Sequence, residues 1–205
     1  MPDPRTNLPR VLNPRTIAVV GDKRANGYLW LRNMSTFQGK LYSVQIDPAE
    51  IPGIEELGVP NYPSLADVPG EIDYVVCAVP RAIAPRIIAD CAAKGVGGVA
   101  LFTSGFAETG EDEGVRLQAE IGRIAREAGL ALIGPNCMGV YNPKLGVRRR
   151  LSSPRARPGR SASSRSLART RSTSASSAPP RACASAPRSA WATPRSSTCP
   201  IMSTT

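Results

Sequence analysis

The sequence contains no histidine, and only 5% of its 205 residues are aromatic. Without an imidazole, the chain has no histidine to act as a general base, to activate a serine or cysteine nucleophile, or to bind a metal. Its five cysteines are odd in number and form no Cys-x-x-Cys pair. We therefore expect reduced thiols in a cytoplasmic protein, rather than a disulfide framework or a zinc site.

Long apolar runs are also missing. The longest stretches, such as residues 74–80, fall far short of the roughly 20 residues that cross a bilayer. No apolar run follows the basic residues near the N-terminus. The sequence thus predicts neither a membrane segment nor a secretory signal.

Acidic residues are absent after Glu127, which divides the chain by charge. Residues 1–147 carry 14 basic and 16 acidic side chains, a net charge of −2, whereas residues 148–205 carry 12 arginines and no acid, a net charge of +12. The high isoelectric point therefore belongs to the tail. We divide the chain into an N-terminal extension (1–12), a folded domain (13–147) and a basic tail (148–205).

The tail consists mainly of Ser, Arg, Ala, Pro and Thr without periodicity, a composition that predicts disorder. It has two explanations: out-of-frame translation of a GC-rich gene from near Val147, or a genuine basic arm. A frame shifted by one nucleotide from Gly159 onward permits a protein-like string that contains Ser-Gln-Ser-Gly. Nucleic-acid binding by the arm is the less favoured use, because Trp191 is its only aromatic residue.

The folded domain alternates apolar strands with helical patterns. The predicted strands are Thr16–Val20, Leu41–Ile46, Ile72–Pro80, Gly98–Phe102 and Leu130–Ile133. The predicted helices are Leu29–Phe37, Ala82–Lys94 and Glu111–Ala128, with residues 51–62 as a connector. Nearly continuous apolar strands predict an α/β fold: a Rossmann-like, open and mostly parallel sheet of five strands, with helices on both faces.

Ligands of such sheets bind beyond the carboxyl ends of the strands. The first strand ends in Gly21-Asp-Lys-Arg-Ala-Asn-Gly27, in which the two glycines allow a tight turn and close approach of the backbone. We expect the following helix to offer free N–H groups to a phosphate, and Lys23 and Arg24 to add positive charge. Other strands end near residues 79–80, 103–105 and 136–137, where they could line the same crevice.

Five sequence pieces in this order carry a family resemblance. They are IAVVG with its glycine turn, YPSLADVP, IDYVVCAVP, TSGFAETG, and GPNCMG followed by YNP, all within residues 16–143. The domain resembles the CoA-binding domain of NDP-forming acyl-CoA synthetases, the group that includes the succinyl-CoA synthetase α subunit. The shifted-frame string resembles the next segment of that family, which implies a member truncated and frameshifted after about residue 147.

The resemblance implies that the domain binds coenzyme A or an acyl-CoA. The glycine turn would meet the CoA phosphates, the segments at residues 79–80 and 103–105 would border the pantetheine arm, and the turn at 136–137 would face the thiol. The implied binding residues are Gly21, Asp22, Lys23, Arg24, Asn26, Gly27, Val79, Pro80, Thr103, Ser104, Gly105, Asn136 and Cys137. No catalytic residue and no metal ligand is assigned, and Cys137 is expected to be a small packing residue.

Members of this family pass a phosphoryl group through a histidine, so this chain is not expected to catalyse the reaction alone. ATP or GTP would serve only a full-length parental enzyme, whose remaining domains or second subunit are the implied partners. A stand-alone regulatory CoA-binding module is the first alternative. An NAD(P)-binding oxidoreductase domain is the second, because Asp47 follows the second strand and could hold a ribose. The resemblance implies a basic residue near that position, where Asp47-Pro-Ala-Glu50 stands instead.

Overall fold

The computed structural model describes residues 3–148, which contain a parallel sheet of six strands. The strand order is β3-β2-β1-β4-β5-β6, and each neighbouring pair is parallel. The strands are β1 (Thr16–Val20), β2 (Lys40–Val44), β3 (Asn61–Tyr62), β4 (Tyr74–Cys77), β5 (Gly98–Leu101) and β6 (Ala131–Ile133). The order reverses between β1 and β4, which places a topological switch point at their carboxyl ends.

Helices cover both faces of this sheet. They are α1 (Leu8–Leu12), α2 (Leu29–Asn33), α3 (Ile51–Glu55), α4 (Ala84–Lys94) and α5 (Asp112–Ala128). Strand β1 is buried along its whole length, so its alternate side chains enter two different cores. Ile17 and Val19 pack with Leu31 of α2, whereas Ala18 and Val20 pack in the cluster of Ile88 and Ile121, from α4 and α5. Burial from both sides explains why this strand is apolar at every core position.

The fold class is confirmed, but the strand count is six rather than five. The segment at residues 51–62 is not a plain connector, because it contains α3 and the edge strand β3. Strand β3 has two residues, which is too short to produce the alternation by which strands are recognised in a sequence. It is fixed in part by a side chain, since Asn61 Nδ2 donates to the Gln45 carbonyl oxygen at 2.9 Å.

Most of the predicted elements are present with shorter bounds. Strand β1 and the carboxyl ends of α4 and α5 match the prediction, including Gly95 and Gly129 directly after the two helices. The predicted helix at residues 29–37 ends at Asn33, and turn bonds such as Phe37 N to Met34 O follow it. The predicted strand at residues 72–80 is a regular strand from Tyr74 to Cys77.

Part of the N-terminal extension packs against the domain. Val11 of α1 is fully buried, and Asn7 Nδ2 donates to the Gly129 carbonyl oxygen at 2.9 Å. The division at residues 12 and 147 stays a prediction, and all but the first residue of the predicted tail lies outside the described residues. Between residues 3 and 148, every helix is too short or too polar to cross a membrane.

Candidate functional site

A cleft of about 360 Å³ lies at the carboxyl edge of the sheet, at the switch point. It is lined by residues that follow β1, β4, β5 and β6, and we call it the strand-end cleft. Its lining residues are Lys23, Asn26, Ala78, Val79, Pro80, Phe102, Thr103, Ser104 and Asn136. Seven of these belong to the binding residues that the sequence predicts, so the structure brings the ends of four strands together around one space.

A smaller pocket of about 170 Å³ lies on the β2 side of the same edge, and we call it the β2 pocket. Apolar side chains from β1, β2, the segment after β3 and α4 form most of its wall. Its lining residues are Val20, Gly21, Val44, Gln45, Ile46, Pro63, Ser64, Leu65, Val79, Ile83, Arg86, Ile87 and Asp90. Val79 lines both spaces, so the two spaces adjoin at this side chain.

Gly21 controls the approach of β1 to β4 between these spaces. Its φ angle is +81°, and its N–H donates to the Val44 carbonyl oxygen at 3.2 Å. A Cβ atom at this position would lie 2.7 Å from Val79 Cγ1 and 3.2 Å from the Ala78 carbonyl oxygen. Glycine is therefore required here both by the backbone conformation and by the space.

Asp22 points into the fold rather than into the cleft. It is 1% exposed, and its carboxylate accepts hydrogen bonds from Leu31 N at 2.9 Å and Lys23 N at 3.1 Å. Burial raises the pKa of this carboxyl, and the backbone donors oppose that rise. The prediction that α2 offers free amides to a phosphate is therefore wrong at Leu31, because the chain supplies its own anion there.

The outer residues of the glycine turn (residues 21–27) remain at the surface. Lys23, Arg24, Asn26 and Gly27 are exposed, and Lys23 and Asn26 line the strand-end cleft. Arg24 does not line the cleft. Its backbone N–H donates a hydrogen bond to a carboxylate oxygen, Glu50 Oε2, at 2.7 Å. The turn thus presents one cation and one amide side chain to the cleft.

Hydrogen bonds between the loops hold the far wall of the cleft together. The Thr103 hydroxyl donates to the Val79 carbonyl oxygen, and Asn136 N donates to the Thr103 carbonyl oxygen at 3.0 Å. Cys137 N donates to the Leu101 carbonyl oxygen at 3.3 Å. Because each loop bonds to the next, the ends of β4, β5 and β6 form one continuous surface. Cys137 is half-buried with a free thiol, and it lies beside this surface rather than among the lining residues.

Gly105 belongs to a turn that is fixed from two sides. Its N–H donates to Glu108 Oε1 at 2.7 Å, and its carbonyl oxygen accepts from Arg81 Nη1 at 2.9 Å. The Gly105 N–H is also the main cause of a lowered pKa of the Glu108 carboxyl. Arg81 pairs in addition with Glu111 at 2.8 Å. Gly105 therefore shapes the cleft through the position of Ser104, without lining it.

Sequence reasoning missed Phe102 and Ala78 as lining residues, and it also missed most of the β2 pocket. Phe102 is 38% exposed, and its ring meets the buried Trp30 edge to face at a centroid distance of 4.8 Å. Both residues directly follow a paired strand, and that position is the signal by which they could have been found. The predicted strands included both residues, so neither residue was recognised as the first one after a strand.

The opposite edge of the sheet also carries a cavity, but it lies away from the carboxyl ends of the strands, where sheets of this kind bind their ligands. A cavity of about 480 Å³ lies there, with Arg10 and Asp73 in its wall. These two side chains form an ion pair, with 3.1 Å between Arg10 Nε and Asp73 Oδ1. The Asp73 carboxylate also accepts a hydrogen bond from Arg15 N at 2.8 Å. Residues 3–148 hold no group of three side chains suited to a metal ion. The strand-end cleft and the β2 pocket are therefore the candidate site.

Comparisons with known proteins show the family to which the chain belongs. A model described as "CoA binding domain" matches residues 15–143. The chain is 40% identical over 134 residues to the α subunit of an ADP-forming acetate–CoA ligase II of Pyrococcus furiosus, covering 63% of this chain and 28% of that one. It is 36% identical over 138 residues to acetate–CoA ligase [ADP-forming] II of Archaeoglobus fulgidus, covering 65% and 20%.

A solved structure agrees with these relatives. Acetyl-coenzyme A synthetase 1 of Candidatus Korarchaeum cryptofilum, in its apo form, superposes with a TM-score of 0.60 at 34% sequence identity, covering 69% of this chain and 31% of that one. The chain therefore spans less than a third of the length of these relatives. Over its folded domain, the chain belongs to the family of CoA-binding domains and resembles the N-terminal part of NDP-forming acyl-CoA synthetases.

Proposed function

We propose that this chain binds coenzyme A or an acyl-CoA in the strand-end cleft, as the N-terminal domain of an NDP-forming acyl-CoA synthetase. The observation that carries the proposal is the joint lining of one cleft by the ends of four strands. The names of its relatives, which are CoA ligases, support the same ligand. A crevice at the switch point of a parallel sheet is where this architecture binds its ligands.

The nucleotide end of CoA fits the β2 side of the site. The pocket there combines apolar side chains such as Ile46, Leu65 and Ile87 with the polar side chains of Gln45 and Ser64. An apolar space with a few polar groups suits a purine ring. The phosphates would then lie over the glycine turn, within reach of the exposed Lys23 and Asn26. Gly21 would allow them to approach the backbone closely.

The pantetheine arm fits the strand-end cleft. Pantetheine alternates amide groups with methylene groups, and the cleft likewise mixes apolar Val79, Pro80 and Phe102 with the polar side chains of Ser104 and Asn136. An arm that runs from the glycine turn across the end of β4 reaches Asn136 at the far wall. We therefore propose that the thiol end lies at the turn of Asn136 and Cys137.

Turnover is assigned to residues beyond those that form this site. The 205 residues contain no histidine, so a phosphohistidine relay has no carrier among them. We propose that the cleft holds and orients CoA, and that further domains or a second subunit would bind ATP or GTP and transfer the phosphoryl group. A stand-alone regulatory module would use the same cleft. An intact reading frame in the coding DNA around Val147 would favour the module over a truncated ligase.

Exchanging Lys23 for alanine tests the proposed cleft. One cation about 4 Å from a phosphate contributes roughly 1 kcal/mol in water, so Lys23→Ala should weaken CoA binding by about fivefold. Lys40→Ala is the matched control, because Lys40 is exposed at the start of β2, on the opposite edge of the sheet. Isothermal titration calorimetry on the full chain measures both variants. Equal losses of affinity in the two variants would contradict the assignment of the phosphates to the glycine turn.

A further inference from the structure

The glycine turn already holds a carboxylate from a distant part of the chain. Glu50 Oε2 accepts a hydrogen bond of 2.7 Å from Arg24 N, across 26 residues of sequence. The backbone of Glu50 is held separately, because the Tyr28 hydroxyl donates to its carbonyl oxygen at 3.2 Å. Tyr28 in turn packs tightly against α3, where a Cβ atom on Gly53 would clash with the Tyr28 ring, at 2.7 Å from its Cζ atom. The Glu50 carboxylate can therefore leave the turn without loosening the segment that carries it.

A backbone N–H in such a turn is a donor of the kind that phosphate oxygens use. The Glu50 carboxylate is an acceptor of the same charge sign, and it lies at the distance of a charge-assisted hydrogen bond. One N–H makes one good bond of this length, so a phosphate oxygen and Glu50 Oε2 cannot share it fully. Even when the carboxylate swings away, its negative charge stays next to the phosphate.

Other charged groups lie near this contact. Asp47 is exposed in the same loop, and its carboxylate accepts from Ala49 N at 3.0 Å. The Tyr28 side chain is the main cause of a raised pKa of the Arg24 guanidinium, and the nearby carboxylates of Glu50 and Glu56 add to that rise. The loop after β2 thus brings the Glu50 carboxylate to the turn, where the family resemblance implies a cation.

We propose that Glu50 is a specificity-determining residue that competes with a ligand phosphate for the Arg24 amide. This inference rests on the proposed function, because Glu50 would set the affinity of the same site for CoA. Glu50 lowers the affinity for ligands that place a diphosphate on the glycine turn. Glu50 does not change the affinity for ligands without a phosphate, which contact only the strand-end cleft.

Glu50→Gln tests the competition while keeping the size of the side chain and an oxygen acceptor for Arg24 N. Calorimetry on the full chain should show about five- to tenfold tighter binding of CoA, since one adjacent like charge is removed and a neutral amide is displaced more easily. Glu55→Gln is the matched control: Glu55 lies exposed on α3, and its exchange changes the net charge equally. It should alter CoA affinity by less than about twofold. Pantetheine, titrated by NMR spectroscopy, should bind all three proteins alike.

Three results would overturn the role of Glu50: unchanged CoA affinity in Glu50→Gln, an equal gain in Glu55→Gln, or an equal gain for pantetheine. If wild type binds CoA and only the Glu50→Gln gain is missing, the proposed function stands and this inference fails. If neither wild type nor Glu50→Gln binds CoA, both fail. Glu50→Ser, which also removes the charge but cannot reach Arg24 N, replaces the glutamine variant if circular dichroism shows that variant to be unfolded.

Discussion

Gly21→Ala is expected to lower the free energy of unfolding by about 2–5 kcal/mol and to abolish measurable CoA binding. Part of the loss comes from the backbone, because a left-handed conformation costs a residue with a Cβ atom about 1–2 kcal/mol. The rest comes from overpacking, typically 1–3 kcal/mol, since the new Cβ atom would lie 2.7 Å from Val79 Cγ1. Moving Val79 would deform both the strand-end cleft and the β2 pocket. Urea denaturation and calorimetry measure the two effects.

Gly27→Ala is the matched control for this variant. Gly27 also has a positive φ angle, of +63°, but a Cβ atom there would meet nothing within 4 Å. Gly27→Ala should therefore lower the free energy of unfolding only by the cost of the backbone conformation, about 1–2 kcal/mol. Equal losses of unfolding free energy in the two variants would show that the Cβ atom added at residue 21 does not clash with Val79. The close packing proposed between the two spaces would then be wrong.

Asp22→Ala is expected to cost about 2–3 kcal/mol of unfolding free energy, because Leu31 N and Lys23 N lose their buried acceptor. Asp22→Asn should cost less, since its single amide oxygen can still serve one of the two donors. Both variants should also weaken CoA binding, because the carboxylate fixes the start of α2 against the glycine turn. Urea denaturation of wild type and both variants gives the stabilities.

The free energies of unfolding of wild type and Asp22→Asn should differ by an amount that changes with pH. Burial raises the pKa of the Asp22 carboxyl above its ordinary value of 3.8, so the folded state binds this proton more tightly than the unfolded chain does. The stabilisation from the bound proton is complete below pH 3.8 and is lost as the pH rises through the folded pKa. Wild type should therefore lose stability relative to Asp22→Asn over that window. A constant difference at all pH values would contradict the raised pKa.

Much of the fold could be predicted from the sequence because burial on both faces leaves a strong pattern. Strand β1 is apolar throughout its core positions, and α5 ends at the residue before Gly129, as predicted. Strand β3 escaped detection because two residues at a sheet edge carry no periodicity. The helix after the glycine turn was predicted too long, because Phe37 continues the apolar spacing although the chain turns after Asn33.

The site was predictable where it follows from topology alone. Residues that come just after parallel strands must share one edge, and Lys23, Val79, Ser104 and Asn136 do line one cleft. The direction of individual side chains was not predictable. Asp22 lies in the same turn as Lys23, yet it points inward, because α2 begins with amides that need a buried acceptor. The contact of Glu50 with the turn depends on the path of the loop after β2, which no local pattern encodes.

The proposed function requires that one ligand fill the space between the strand ends. Calorimetry on the full chain with CoA, and separately with NAD, tests this directly at salt concentrations of about 0.15 M and about 0.5 M. We predict saturable 1:1 binding of CoA that persists at the higher salt, and no heat with NAD. Binding of NAD with no response to CoA would contradict the account.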